Sequence, residues 1–150
     1  MLTKTHVAFA VFLIILFFEH VVHPWIFIIM VLVATIFPDL DSNLSSFGRH
    51  LIFRPLQLLT KHRGMIHSFS FAILISIILA VFWPILSLGF FLGYSVHLVC
   101  DSFTRDGIQP FWPLKARSSG FITSGGRIEE TLFFTLIILD IFLFFGVFVL

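Results

Sequence analysis

The sequence predicts an all-α bundle of about five short membrane-spanning helices, with a polar site gathered at one membrane face. Of 150 residues, 59% are hydrophobic and 11% are charged. With a mean hydropathy of +1.09, the chain has more apolar surface than a soluble domain of this length can hide, so lipid is the expected solvent. The apolar residues form long runs over 5–18, 25–37, 69–101 and 131–150. Most side chains able to do chemistry stand at the ends of those runs rather than inside them. The length fits a single domain over residues 1–150.

The first two runs are divided by Glu19-His20-Val21-Val22-His23-Pro24, which reads as a tight turn. Pro24 suits the first turn of the helix that follows. About 14 helical residues rise roughly 21 Å, short of a ~30 Å hydrocarbon core. The flanking turns must therefore be helical too, or the bilayer must thin locally. Glu19-His20 closes the first run without a small-residue cleavage motif, so no cleavable signal peptide is expected. Cys100 is the single cysteine, which excludes an intramolecular disulfide.

The run over 69–101 is either one long helix or two helices turning at Trp83-Pro84-Ile85-Leu86-Ser87-Leu88-Gly89. Charge decides between them. With a turn, Lys4, Arg49, Arg54, Lys61, Arg63, Arg105, Lys115, Arg117 and Arg127 all fall on one side of the membrane. The positive-inside rule makes that side cytoplasmic, with the N-terminus inside. Without a turn, the last four would cross over. Five spans are expected, in a multi-pass protein of the cell's inner (cytoplasmic) membrane.

This topology gathers the chemistry. His6 opens the first helix, Pro38-Asp39-Leu40-Asp41 closes the second, and His62 and His67 precede the third. His97 and Asp101 close the fourth, and Glu129-Glu130 opens the fifth. His97 and Asp101 are spaced i, i+4, on one helix face, and imidazole with carboxylate suits zinc, manganese or iron. The bland alternative is a solvated or salt-bridged pair, but an ionisable group near lipid is expensive without a partner. Asp39 and Asp41 can reach one cation or bridge two; alternatively they end a helix and form a turn. His62 and His67 can be presented together by a loop through Gly64, or His67 and Ser68 can cap the third helix. Arg63 can hold a phosphate through its planar fork. Free N–H groups at the start of the fifth helix, with Arg127, form another anion seat, or an ordinary basic loop near anionic lipid. Asp140, about ten positions into the last run, is expected to face Tyr94 or Ser76 at similar depth. Phe111-Trp112-Pro113 reads as an interfacial anchor.

Thr5-His6, Pro38-Asp39-Leu40-Asp41, His62-Arg63-Gly64-x-x-His67-Ser68 and His97-x-x-x-Asp101-x-x-Thr104-x-x-Gly107-x-x-x-x-x-Pro113 resemble the YdjM-like family of inner-membrane metal-dependent hydrolases. The resemblance runs from residue 5 to about 130. Ser124-Gly125-Gly126-Arg127-Ile128-Glu129 looks like the same family's segment before the last helix. The family is distantly similar to zinc-dependent phospholipase C and the single-strand-specific nucleases, which implies a phosphoester substrate. Those soluble enzymes use their mature N-terminus as a ligand, a role for which Met1 looks poorly placed.

The resulting expectation is a membrane-bound metal-dependent hydrolase acting on a lipid phosphate or similar phosphorylated small molecule. His6, Asp39, Asp41, His62, His67, His97 and Asp101 would hold two or three divalent ions, zinc first, with manganese or iron as alternatives. Asp41 or Glu129 would take a proton from the attacking water, and Arg63 and Arg127 would offset phosphoryl charge. The partners implied are membrane lipid and the substrate; no nucleic-acid surface is evident. The rival readings are a metal- or proton-coupled transporter using Asp140, and a non-catalytic protein whose metal clamps the helices.

Overall fold

The computed structural model describes residues 1–41, 48, 50, 54 and 64–149. Among them are five α-helices: α1 Thr3–Phe17, α2 Pro24–Ile36, α3 Phe69–Phe82, α4 Pro84–Ser102 and α5 Arg127–Phe148. No strand occurs among the described residues, only two isolated bridges, Thr104 with Ile122 and Ile108 with Ser118. The all-helical expectation holds. Thr3–His20, Pro24–Asp41, Pro84–Ser102 and Arg127–Phe148 are each long and apolar enough to cross a membrane, while Phe69–Phe82 is shorter. The first two reach that length because 3-10 turns over Phe18–His20 and Phe37–Asp41 continue them.

Local chemistry explains the breaks. Pro24 and Pro84 each stand at the first turn of a helix, where a missing N–H costs nothing. Trp83, just before Pro84, has φ −143° and ψ 68°, because the proline ring drives its predecessor out of the helical region. The run over 69–101 is thus two helices. Ser68 caps α3 by accepting the Phe71 N–H at 3.2 Å, as one reading of the sequence had it.

α4 is the central element, packing against α2, α3 and α1, while α1 also packs against α2 and α5. The seam between α2 and α4 is unusually close. A Cβ at Gly93 would stand 2.3 Å from the Val31 carbonyl oxygen, and one at Gly89 would stand 2.9 Å from Met30 Cβ. Two glycines four apart let the backbones touch, the small-residue packing that lipid-embedded helices use in place of a hydrophobic driving force. Beside this seam lies a buried cluster with Ala34, Phe90, Tyr94 and Leu98 at its centre. The Tyr94 hydroxyl donates to the Ile66 carbonyl at 2.6 Å, tying α4 to the segment that carries His67.

Residues 103–126 form a compact loop around Thr104. Its hydroxyl donates to the Asp101 carbonyl at 2.7 Å and accepts from Gly107 N–H at 3.2 Å. Gly107 takes φ +61°, and a Cβ there would meet the Ser118 carbonyl at 2.2 Å, so glycine alone fits. Phe111, Trp112 and Leu114 are exposed on this loop.

One expectation is corrected. Asp140 faces neither Tyr94 nor Ser76. Ser76 donates to the Ala72 carbonyl within its own helix, Tyr94 is committed to Ile66, and α5 packs on α1 instead. Asp140 lines a groove between those two helices. Matching depth could not reveal which helix would be α5's neighbour.

Gly93→Ala is expected to force α2 and α4 apart at a cost of about 1–3 kcal/mol, the range for overpacking a tight contact. A lowered thermal unfolding midpoint of the detergent-solubilised protein would report it; an unchanged midpoint would contradict the seam.

Candidate metal centre

Four helix ends bring the site together. α1 supplies His6 in its first turn, and the 3-10 turn after α2 supplies Asp39 and Asp41. The last two turns of α4 supply His97 and Asp101, and the segment before α3 supplies His67. His67 and His97 show no exposure, His6 1%, Asp101 2%, Asp41 4% and Asp39 9%. So many ionisable groups are rarely hidden together unless charge is paired among them.

The orientation of His97 is the informative detail. Its Nδ1 lies 2.8 Å from the Thr35 carbonyl oxygen. A carbonyl can only accept, so Nδ1 carries the proton and Nε2 presents a lone pair. That Nε2 has no hydrogen-bond partner, and it faces Asp39 Oδ1 at 3.8 Å and Asp101 Oδ2 at 3.8 Å. A lone pair aimed at two carboxylate oxygens is repulsive by itself. A cation among the three removes the repulsion. Backbone carbonyl, imidazole and ion in series is how metal-ligating histidines are commonly held.

His67 repeats the pattern with a carboxylate. Its Nδ1 lies 3.2 Å from Asp41 Oδ2, and its Nε2 lies 3.9 Å from Asp101 Oδ2. Asp41 thus stands behind the imidazole, where it fixes the ring. His6 stacks on His97 with ring centroids 4.0 Å apart and planes 13° apart, and its Nε2 is 3.4 Å from Asp101 Oδ1. Asp101 therefore turns one oxygen to His6 and the other to His67 and His97, a disposition suited to bridging. Among the described residues, two sets have ligand atoms within 4.8 Å of one another: His6, Asp39 and His97; and His67, His97 and Asp101. They share His97, whose Nδ1 is committed to Thr35, so that histidine can serve one ion through Nε2. The donor set of imidazole nitrogen and carboxylate oxygen fits zinc, with manganese and iron also compatible.

The N-terminal residues enter the site from the side. The Met1 amino group is hydrogen-bonded to Asp101 Oδ1, so Met1, which looked poorly placed from the sequence, stands beside the ligand candidates. Glu129 holds the N-terminal residues in place. Its Oε1 accepts from Leu2 N–H at 2.6 Å and the Thr5 hydroxyl at 2.8 Å, and its Oε2 accepts from Gly125 N–H at 2.7 Å. The carboxylate binds the start of α1 to the start of α5. Arg127 is exposed two residues earlier. His62 and Arg63 lie outside the described residues. Sequence reasoning passed over Thr35 and Gly93, because neither looks chemical; a threonine four residues before Asp39 on an apolar helix was the available signal.

The family model described as YdjM inner membrane protein matches residues 1–149. The chain belongs to the YdjM inner membrane protein family. Inner membrane protein YdjM of Escherichia coli (strain K12) is 32% identical over 102 residues, covering 62% of this chain and 52% of that protein. The protein of the same name from Shigella flexneri matches to the same extent. The chain spans about half the length of these curated relatives. No solved structure matches. Family and apolar helices together make this a membrane protein of the multi-pass inner-membrane kind.

Glu129→Gln leaves one good acceptor where there were two and puts an amide N–H against a donor. It is expected to cost about 1.5–3 kcal/mol, the range for hydrogen bonds to a charged group. A lower unfolding midpoint, with faster proteolysis before Thr5, would show the clamp; wild-type behaviour in both would remove it.

Proposed function

We propose that the protein is a metal-dependent hydrolase of phosphoesters, working at the cytoplasmic face of the inner membrane. The observation that carries this reading is His97 Nε2, a buried acceptor facing two carboxylates with its other nitrogen anchored. His6, Asp39, His67, His97 and Asp101 would hold one or two divalent ions, with Asp101 bridging in the second case. A bound ion would act as a Lewis acid toward the phosphoryl group and the attacking water. Asp41 would keep the His67 ring in register, and Asp39 or Asp41 would take the proton from the attacking water. Glu129 we assign to positioning, since three donors already occupy its oxygens. Arg127, with Arg63, would meet phosphoryl oxygens through the guanidinium fork.

A transport pathway would need polar groups spread through the depth of the bundle. The buried His and Asp groups that could hold a metal crowd at one end, and Asp140 stands apart from them, which favours chemistry at a surface over passage through the core. The substrate is a phosphorylated lipid or small molecule by analogy with distant soluble enzymes that share clustered His and Asp ligands.

Elemental analysis of the purified protein should find stoichiometric zinc, manganese or iron, lost in His97→Ala and Asp101→Ala. Asp41→Asn should weaken metal affinity about 10–100-fold, as expected for the partner behind a ligating histidine. Phosphoesterase activity that survives metal loss would sink the mechanism. If metal loss instead unfolds a protein with no activity on any phosphoester, the ion is a structural clamp.

The proposed orientation has its own check. Val22, 87% exposed between α1 and α2, lies at the opposite end from the site. Val22→Cys should react with a membrane-impermeant maleimide in spheroplasts and Arg117→Cys should not, while buried Cys100 stays silent. The reverse pattern would place the N-terminus outside.

A further inference from the structure

α1 and α5 pack together without filling the space along their contact. Between them runs a groove of about 720 Å³, with apolar walls that include Ala8, Val11, Ile137 and Phe144. Two of its lining residues are charged types, and their placement is ordered. Lys4 stands at the end near the metal centre, exposed, with its ammonium 4.8 Å over the Phe133 ring. Asp140 lies seven residues further along α5, about 10 Å deeper by helical rise. It is 6% exposed, and neither carboxyl oxygen has a hydrogen-bond partner. Nothing in the clustered histidine site uses either residue.

A buried carboxyl without a partner at membrane depth is costly and marks a functional position by default. A cation at the mouth, an apolar trough below it and a hydrogen-bonding group between are the features that one kind of molecule has in the same order. We propose that this groove is a binding site for an anionic glycerophospholipid. The phosphate meets Lys4, the glycerol esters lie at the level of Asp140, and one acyl chain fills the trough. Helical side chains tilt toward the N-terminus, so the Asp140 carboxyl reaches back toward Lys4 and closes part of the 10 Å gap. A carboxyl can accept from a lipid hydroxyl or, as the neutral acid, donate to an ester carbonyl. A basic residue at the cytoplasmic end of a cleft between spans is a recurrent headgroup seat.

This inference needs no metal at the histidine cluster. It has one consequence for that cluster: Lys4 is two residues from His6, so a headgroup seated there is delivered beside the site.

The test uses full-length protein in phosphatidylcholine vesicles containing phosphatidylglycerol with a photoreactive diazirine on one acyl chain. Adducts should map to α1 and α5 along the groove, and unlabelled phosphatidylglycerol should compete where added phosphatidylcholine does not. Lys4→Ala, an exposed position harmless to folding, should reduce the adduct about fivefold. Ala8→Phe should abolish it by filling the trough, and Asp140→Leu should lower it if Ala8→Phe fails to fold. Adducts spread evenly over the lipid-facing surface of α3 and α5, or unchanged in Lys4→Ala, would overturn the proposal. So would a bifunctional cross-link joining two chains through α5 in place of any lipid adduct, which would make a second copy the occupant. Metal content of the same samples is read separately, so loss of lipid binding and loss of the metal centre are distinguishable.

Discussion

Thr35 can offer its carbonyl oxygen to His97 because nothing larger than a hydrogen atom separates α4 from α2 at Gly93. The Thr35 hydroxyl sits at the same seam, its one proton shared between the Val31 carbonyl of its own helix at 2.8 Å and the Gly93 carbonyl of α4 at 3.1 Å. One close backbone approach therefore sets the proton on His97 Nδ1, aims Nε2, and sends the continuation of α2 past that nitrogen with Asp39 and Asp41. The other ligand candidates arrive from separate elements and are drawn to the same point. His6 stacks on His97, and His67 is turned by Asp41. Asp101 comes on the same helix face as His97, one turn later. In lipid, where apolar contacts alone give helices little reason to prefer one neighbour over another, such polar contacts and small-residue seams choose the partners.

The clustering is also what makes each member tolerable. A lone buried imidazole or carboxylate at the end of a membrane helix would be an expense without return. Six together, with backbone carbonyls and N–H groups behind them, form a network whose members answer for one another. Glu129 shows the same logic without ligand chemistry. Its carboxylate gathers three donors from two stretches far apart in sequence, so the start of α1 and the start of α5 are held by a charge rather than by packing.

Much of this was legible in the residues, and the reasons differ by element. Helix number and the break at Trp83 could be read because proline chemistry is local and because charge sidedness is a property of the whole chain. The convergence of His6, Asp39, His67, His97 and Asp101 followed from topology alone: five spans put those residues at one end. Neighbour relations were not legible. Away from their ends the helices are apolar over most of their surface, so no periodic stripe announces which face meets which partner, and Asp140 was matched by depth to the wrong helices. Met1 was misjudged for a related reason: its placement depends on Glu129, 128 positions away, through a contact that no local pattern encodes. Thr35 and Gly93 were invisible because their contributions are a carbonyl oxygen and a missing Cβ.

The helices also differ in length, and that difference acts on the surrounding membrane. α3 has 14 residues and α5 has 22, so their hydrocarbon-facing walls differ by about 12 Å in height. α3 lies against α4 and α5 against α1, which places the short and tall walls on different flanks. A bilayer meeting such a body must be thinner along one side than the other, with lipids tilted to match. On the α3 flank the shorter apolar wall is matched by local thinning or by tilted lipid, on the α5 flank by a fuller bilayer.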